Sequence, residues 1–133
     1  MSYLIAWIST GLVFAIADAI WLSQAVPRVY KPMIGELLRP DISWPAAIAF
    51  YFIYVCGIVY FAVAPALAKQ SLSVAFINGA LLGMIAYATY DLTNQATLKI
   101  WDWRLTLIDM AWGACATALA ASASYWLAQR FAS

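Results

Sequence analysis

The stretch that decides the fold is residues 45–68, PAAIAFYFIYVCGIVYFAVAPALA, in which no side chain carries a charge. A helix of this length rises about 36 Å at about 1.5 Å per residue, and the hydrocarbon core of a bilayer is about 30 Å thick. The apolar residues run continuously and do not alternate with polar ones, which is typical of a membrane-spanning helix rather than a barrel strand. We therefore expect this stretch to cross a membrane as a helix.

Three further apolar runs have similar length, and each contains a single charged residue, an aspartate. They are residues 3–25 with Asp18, residues 72–92 with Asp91, and residues 105–128 with Asp109. Across the 133 residues, 66% are hydrophobic and 10% are charged, whereas soluble domains average about 25% charged residues. The sequence predicts an all-α fold, an integral membrane four-helix bundle that forms a single transmembrane domain over residues 1–133.

The charge and residue inventory excludes several classes of protein. The formal net charge is +1 and there is no basic patch, so nucleic acid is not an expected partner. The chain contains no histidine, which excludes zinc sites and catalytic triads built on that residue. Cys56 and Cys115 lie in apolar surroundings and are expected to be packing residues. The sequence identifies no cofactor.

Basic residues are distributed unequally between the two sides of the predicted bundle. The first and third loops contain five: Arg28, Lys31, Arg39, Lys99 and Arg104. The opposite side contains two, Lys69 and Arg130. Because cytoplasmic loops carry an excess of Lys and Arg, we expect the first and third loops to face the cytoplasm. The chain would then lie in a bacterial inner (cytoplasmic) membrane with both termini in the periplasm.

The first loop, residues 26–41, contains three prolines, Pro27, Pro32 and Pro40. Proline removes a helical hydrogen bond and restricts the preceding residue, so we expect the helix to break there. The apolar residues after the second proline have helical spacing: Met33, Ile34, Leu37 and Leu38. This spacing predicts a short interfacial helix, with an ordinary solvated loop as the alternative.

The three aspartates within the apolar runs require a reason, because a charge in hydrocarbon costs roughly 2.5–3.5 kcal/mol. The predicted topology places Asp18, Asp91 and Asp109 toward the same end of the bundle. Asp18-x-x-Trp21 and Asp109-x-x-Trp112 repeat one pattern, and residues at i and i+3 share a helical face. We expect the runs containing these aspartates to pack closely, through Gly79-x-x-x-Gly83, around a polar cavity at their cytoplasmic end.

Eight residues are candidates for binding a ligand in this cavity: Asp18, Trp21, Tyr87, Asp91, Asn94, Thr97, Asp109 and Trp112. Four basic residues just outside it are candidates for a lipid head group: Arg28, Lys31, Lys99 and Arg104. The same four basic residues would instead form a structural network if they paired with the aspartates. Oxygen ligands suit Mg²⁺ or Mn²⁺, but the sequence contains no clustered acidic motif, so no metal site is predicted.

A family resemblance rests on three groups of residues. They are residues 86–98, AYATYDLTNQATL, followed by Trp101 and Asp109-Met-Ala-Trp-Gly113; Asp18-x-x-Trp21; and the Val-Tyr-Lys-Pro turn ending at Pro32. Over its whole length the chain resembles an uncharacterised bacterial membrane-protein family, catalogued as a domain of unknown function. The resemblance implies a four-span fold and no assigned reaction. Members often occur beside genes for lipid-modifying and oxidative-stress functions, which implies a lipid or isoprenoid ligand.

Three functions remain open at this stage. The first is a membrane protein that binds or helps to modify a lipid-soluble small molecule in the polar pocket. The second is a small proton-coupled exporter or channel, and the third is a structural or assembly subunit of a larger membrane complex. The expected partners are the lipid bilayer, a lipid or isoprenoid ligand, and a second copy of the chain or another membrane protein. Whether the protein is an enzyme is left open.

Overall fold

A computed structural model describes residues 2–38 and 43–132 of the chain. Two residues that bear on the predictions for the first loop lie outside the described residues: Arg39, which is counted among its basic residues, and Pro40, where a helix break is expected. The described residues contain helices and short connections and no β-strand. Four helices are long and apolar enough to cross a membrane, which confirms the prediction of a four-span all-α protein. We name them span one (Ser2–Leu37), span two (Trp44–Lys69), span three (Leu72–Thr97) and span four (Trp103–Ala132).

Span four lies at the centre of the packing, against spans one and three, while span two packs on spans one and three. The buried core is rich in small side chains: Ala6, Ala62, Ala66, Ala75, Ala116, Ala120, Ala121 and Ala128. Small residues let helix backbones approach closely, which is how spans associate where lipid removes the hydrophobic driving force. Most of the large apolar side chains are instead exposed around the outside of the bundle, as expected for a surface that faces lipid.

Buried hydrogen bonds add specificity to this packing. The Ser124 hydroxyl donates to the carbonyl of Ala6 across 2.8 Å, which joins span four to span one. The hydroxyls of Tyr54 and Thr117 lie 2.8 Å apart and join span two to span four. Each bond pairs polar groups that would be costly to leave unpaired in an apolar interior.

Glycines set the closest approach between spans three and four. A Cβ atom on Gly79 would lie 2.9 Å from the carbonyl oxygen of Thr117, and one on Gly83 would collide with the backbone of Gly113. A Cβ on Gly113 would in turn collide with the ring of Tyr87. These three positions therefore have no room for a larger residue, and the predicted close packing through Gly79 and Gly83 is observed.

Spans two and three are joined by a very short turn. Gln70 adopts a left-handed conformation with φ 51°, and Ser71 donates its N–H to the carbonyl of Ala66 across 3.1 Å. This bond closes a Schellman-type end on span two. The hydroxyl of Ser71 then accepts the N–H of Val74 across 3.3 Å, so the residue that completes one helix also caps the next.

The helix of span one does not break at its prolines, contrary to the sequence-based expectation. Its backbone stays helical from Ser2 to Leu37, with a π-helical turn at Val26–Tyr30 and a tighter 3₁₀ turn at Gly35–Leu37. Pro27 and Pro32 occupy the first positions of short helical segments, where a missing N–H is tolerated. The short helix predicted for the first loop is thus present as a continuation of span one.

Span two also contains a π-helical turn, Val59–Val63, just before Pro65. Pro65 has no N–H to donate to the preceding turn. The side chain of Asn78, on span three, donates to the Phe61 carbonyl in that turn across 3.1 Å. A neighbouring helix therefore supplies a donor at the point where proline removes one, as membrane proteins require.

The glycine contacts predict the outcome of a matched pair of substitutions. Gly83→Ala should lower the free energy of unfolding by about 1–3 kcal/mol, because spans three and four must separate to admit the new methyl group. Gly57→Ala, where a Cβ would meet nothing within 4 Å, should change it by less than about 1 kcal/mol and toward stabilisation. Thermal unfolding of both variants in the same mild detergent measures the difference. Equal unfolding temperatures would contradict the close packing described here.

Candidate functional site

A partly open cavity of about 440 Å³ lies at one end of the bundle. This end carries the first connection, between spans one and two, and the third connection, residues 98–102 between spans three and four. We call it the acidic cavity because three aspartates line it. All four spans and the third connection contribute side chains to its wall. The lining residues are Asp18, Trp21, Leu22, Val26, Tyr30, Ile34, Leu38, Phe50, Ala86, Tyr87, Tyr90, Asp91, Trp101, Asp109 and Trp112.

The structure brings together six of the eight residues singled out as ligand-binding candidates: Asp18, Trp21, Tyr87, Asp91, Asp109 and Trp112. The other two, Asn94 and Thr97, do not line the acidic cavity. Thr97 donates its hydroxyl to the carbonyl of Thr93 across 2.8 Å, within its own helix. This bond satisfies the hydroxyl of Thr97 at a site away from the cavity.

Asp91 is the most buried acid of the cavity, with 0% of its surface exposed. Neither of its carboxyl oxygens accepts a hydrogen bond from a donor among the described residues. The group that faces it is another carboxyl, that of Asp109 on span four. This neighbour follows from the close packing of Gly83 on Gly113, because Asp91 and Asp109 lie further along the same antiparallel contact. Two adjacent carboxyl groups repel each other unless a proton or a cation lies between them.

Tyr30 connects the extension of span one to this acid pair. Its hydroxyl donates to Asp109, and the indole N–H of Trp21 donates to the Tyr30 oxygen across 3.2 Å. Sequence reasoning missed Tyr30, although it lies on the four-residue series that begins at Asp18 and continues through Leu22 and Val26. A helix that broke at Pro27 would not continue this series to Tyr30.

Tyr51 is a second tyrosine that reaches an aspartate of the acidic cavity. From span two, its hydroxyl donates to the half-buried carboxyl of Asp18. Its ring packs edge to face against Phe14, with centroids 5.9 Å apart, which fixes its direction. Asp18 and Asp109 therefore each accept a tyrosine hydroxyl, whereas Asp91 accepts none.

The two tryptophans of the repeated Asp-x-x-Trp pattern stack on each other. The rings of Trp21 and Trp112 are 4.7 Å apart between centroids and 7° from parallel. Neither indole donates to the aspartate of its own pattern, because Trp21 donates to Tyr30 and the Trp112 N–H is buried without a hydrogen-bond acceptor among the described residues. The pattern thus builds an aromatic wall, and it leaves one unused donor there.

The four basic head-group candidates lie outside the acidic cavity. Arg28, Lys31, Lys99 and Arg104 are all exposed. Among the described residues, Arg104 forms an ion pair with Asp102, with 2.8 Å between a guanidinium nitrogen and a carboxylate oxygen. Hydrogen bonds from the Arg104 guanidinium and backbone N–H hold the pKa of Asp102 below its usual range, so this acid stays ionised. In the part of the chain described, none of these four cations pairs with an aspartate of the acidic cavity, so the predicted alternative of a structural ion-pair network is not seen.

The third connection is held in place by its own hydrogen-bond network. The indole N–H of Trp101 donates to the Thr106 hydroxyl across 2.9 Å, and that hydroxyl donates to the Gln95 side chain across 2.8 Å. Gln95 completes the ring by donating to the Trp101 carbonyl across 3.0 Å. Because these bonds join the end of span three to the start of span four, they fix the Trp101 ring against the acidic cavity.

Among residues 2–38 and 43–132, no group of three or more acidic, cysteine or histidine side chains is placed to hold a metal ion. The arrangement is suited instead to hydrogen bonding and charge pairing with an organic ligand, since carboxylates and aromatic rings share one wall.

The stacked indoles give a spectroscopic test of the site geometry. Two indoles stacked at 4.7 Å couple electronically, and where their transition dipoles are rotated relative to each other within the stacked planes this coupling gives a paired positive and negative band in the circular dichroism spectrum. Trp112→Phe and Trp21→Phe should each abolish this signal. Trp126→Phe, which alters an exposed ring, should retain it. Loss of the signal in all three variants, or in none, would contradict the stacking.

Comparison with known proteins shows the family of the chain. Residues 3–126 match the family model described as predicted membrane protein (DUF2177), which confirms the resemblance to a membrane family of unknown function. No curated protein and no solved structure matches the chain. A model that covers nearly the whole sequence, together with the four apolar helices, leads to one conclusion: the chain belongs to the predicted membrane protein family DUF2177.

Proposed function

We propose that this protein binds, or helps to modify, a lipid-soluble small molecule whose polar part occupies the acidic cavity. The observation that carries this proposal is the carboxyl group of Asp91, which has 0% exposure and no donor among the described residues, at the wall of a 440 Å³ cavity. A buried polar group without a partner is costly, and a bound ligand would supply the missing donor.

The composition of the cavity wall supports an amphiphilic ligand. Its polar groups are concentrated at the three aspartates and the tyrosine hydroxyls, while most of the remaining wall is aromatic or aliphatic. Small-molecule sites are usually concave, largely apolar and about 300–1,000 Å³ in volume, with a few well-placed polar groups that fix orientation. The partial opening of the cavity, at one end of four lipid-exposed helices, gives a ligand with an apolar chain a route from the membrane.

A second line of support concerns chemistry rather than binding alone. Two adjacent carboxyl groups that share one proton are a proton donor and acceptor in a single site. Tyr30 donates a hydrogen bond to Asp109 and Tyr51 donates one to Asp18, so each of these two acids is held in position by a tyrosine. The cavity therefore contains the groups needed to assist an acid-catalysed step on a bound molecule.

A matched pair of substitutions tests the proposed binding. Ala86 lines the acidic cavity, and Ala111 is exposed on span four outside it. Ala86→Leu should fill part of the cavity and remove a molecule that co-purifies with the wild-type protein, while Ala111→Leu should retain it. Mass spectrometry of organic extracts from the three proteins, purified from native membranes in mild detergent, measures the result.

The proposal predicts one compound that is stoichiometric with the wild-type and Ala111→Leu proteins and depleted at least about tenfold in Ala86→Leu. The tryptophan dichroism signal shows whether each variant remains folded. The proposal fails if no compound co-purifies with the wild-type protein, or if folded Ala86→Leu retains it fully. A flux of protons across liposomes containing the protein would point instead to a proton-coupled exporter.

We further propose that the first and third connections face the cytoplasm of a bacterial inner membrane, with both termini in the periplasm. The basic residues at this end of the bundle support this orientation, because Arg28 and Lys31 in the extension of span one and Lys99 in the third connection are exposed and make no ion pair among the described residues. The acidic cavity would then open in the cytoplasmic leaflet.

Reporter fusions test the orientation. Alkaline phosphatase fused after residue 133 should be active, because it folds in the periplasm, while green fluorescent protein at the same position should be dark. The reverse pattern would place both termini in the cytoplasm. Exchanging Lys99 and Arg104 for Gln weakens the charge bias, so the double variant should give a mixed reporter pattern and provides the control.

A further inference from the structure

We propose that the polar group of the ligand is an organic ammonium, so that the acidic cavity selects lipid-soluble amines. This inference rests on the proposed function and names the chemical class of its ligand. It is drawn from the charge of the cavity, the unpartnered carboxyl of Asp91 and the aromatic residues of the wall.

The charge of the cavity favours a cation and disfavours an anion. Three carboxyl groups line it, and no Lys or Arg is among its described lining residues. Asp18 lies in the same wall as a third acid, beside the adjacent carboxyl groups of Asp91 and Asp109. A phosphate or carboxylate would be repelled at close range, whereas an ammonium group would be attracted.

The hydrogen bonds that Asp91 and Asp109 can accept also favour an ammonium group. Both oxygens of Asp91 lack donors, and the adjacent Asp109 receives one, from Tyr30. A primary ammonium has three N–H donors and no acceptor, so one such group between these carboxyls would satisfy Asp91 and relieve the repulsion within the pair. A hydroxyl group has one donor, so it would leave more of the pair's acceptors unused.

The aromatic wall distinguishes an organic cation from a bare metal ion. Rings of Trp21, Trp101, Trp112 and Tyr87 line the same cavity as the acids. The negative face of an aromatic ring attracts cations, and this attraction strengthens when water is excluded. A bare Mg²⁺ ion takes oxygen ligands from carboxylates and water, so an aromatic wall contributes nothing to its coordination.

Three probes with the same chain and different head groups test the inference: decylamine, decanol and decanoate. At pH 7 decylamine carries a positive charge, like a lysine side chain, and decanoate a negative one. Each is titrated into the wild-type protein in phosphatidylcholine nanodiscs, and binding is followed by the change in the Trp21–Trp112 dichroism signal. Decylamine should bind at least about tenfold more tightly than decanol, and decanoate should not bind.

A matched pair of charge-removing variants assigns the effect to the cavity. Asp91→Asn removes a carboxylate from the wall, and it should weaken decylamine binding about tenfold to a hundredfold. Asp102→Asn removes one from an exposed residue outside the cavity and should bind decylamine like the wild type. If Asp91→Asn does not fold, the comparison of the three probes on the wild-type protein decides the question by itself.

Equal affinity for decylamine and decanol, tighter binding of decanoate, or unchanged binding by folded Asp91→Asn would overturn the inference. The proposed function would survive such a result as long as a compound co-purified with the wild type in a cavity-dependent manner. Nanodiscs that contain phosphatidylethanolamine identify the source of the amine. Competition with decylamine there would indicate an amine-bearing lipid, and no competition would indicate a free amphiphilic amine; both results support the amine class.

Discussion

The contact between spans three and four is the constraint on which the rest of the structure depends. Gly83 lies against the backbone of Gly113, and Gly79 lies against Thr117, so two helices touch at the level of their main chains. Helices this close have no room to slide or rotate, and the residues that follow the glycines are placed with little freedom. Asp91 therefore meets Asp109 because of glycines two and three turns away. The acidic cavity begins where this contact ends.

The π-helical turn in span one positions side chains on the opposite wall of the acidic cavity. In a regular α-helix, residues four apart are rotated by about 40°, so the series from Asp18 to Leu38 would turn by about 200° and leave the cavity. All six members of this series nevertheless line it: Asp18, Leu22, Val26, Tyr30, Ile34 and Leu38. The wider turn at Val26–Tyr30 reverses part of the rotation, and Tyr30 is thereby kept in reach of Asp109. Such turns are often found at functional sites.

Much of the fold could be predicted from the sequence, because membrane spans are specified by length and hydrophobicity and the packing by small residues at helical spacing. The shared depth of Asp91 and Asp109, together with Gly79 and Gly83, predicted a polar cavity beside spans three and four, but residue spacing alone does not predict that the two carboxyl groups meet. The course of span one could not be predicted, since proline disfavours a helix in general and only its neighbours show that Pro27 is accommodated. The hydrogen bonds of Tyr30 and Tyr51 could not be predicted for a related reason: which hydroxyl reaches which carboxyl depends on backbone geometry that residue spacing does not contain.

The two-residue turn at Gln70 and Ser71 has a consequence for the order in which the protein is assembled. Spans two and three are tied so tightly that they can enter the bilayer as one hairpin. Span two carries no charged residue before Lys69 at its end, so its apolar surface offsets the insertion cost of Asp91 in its partner. Span four follows the other three spans in the chain and packs against span three. The acid pair is therefore completed only once span four has joined this hairpin.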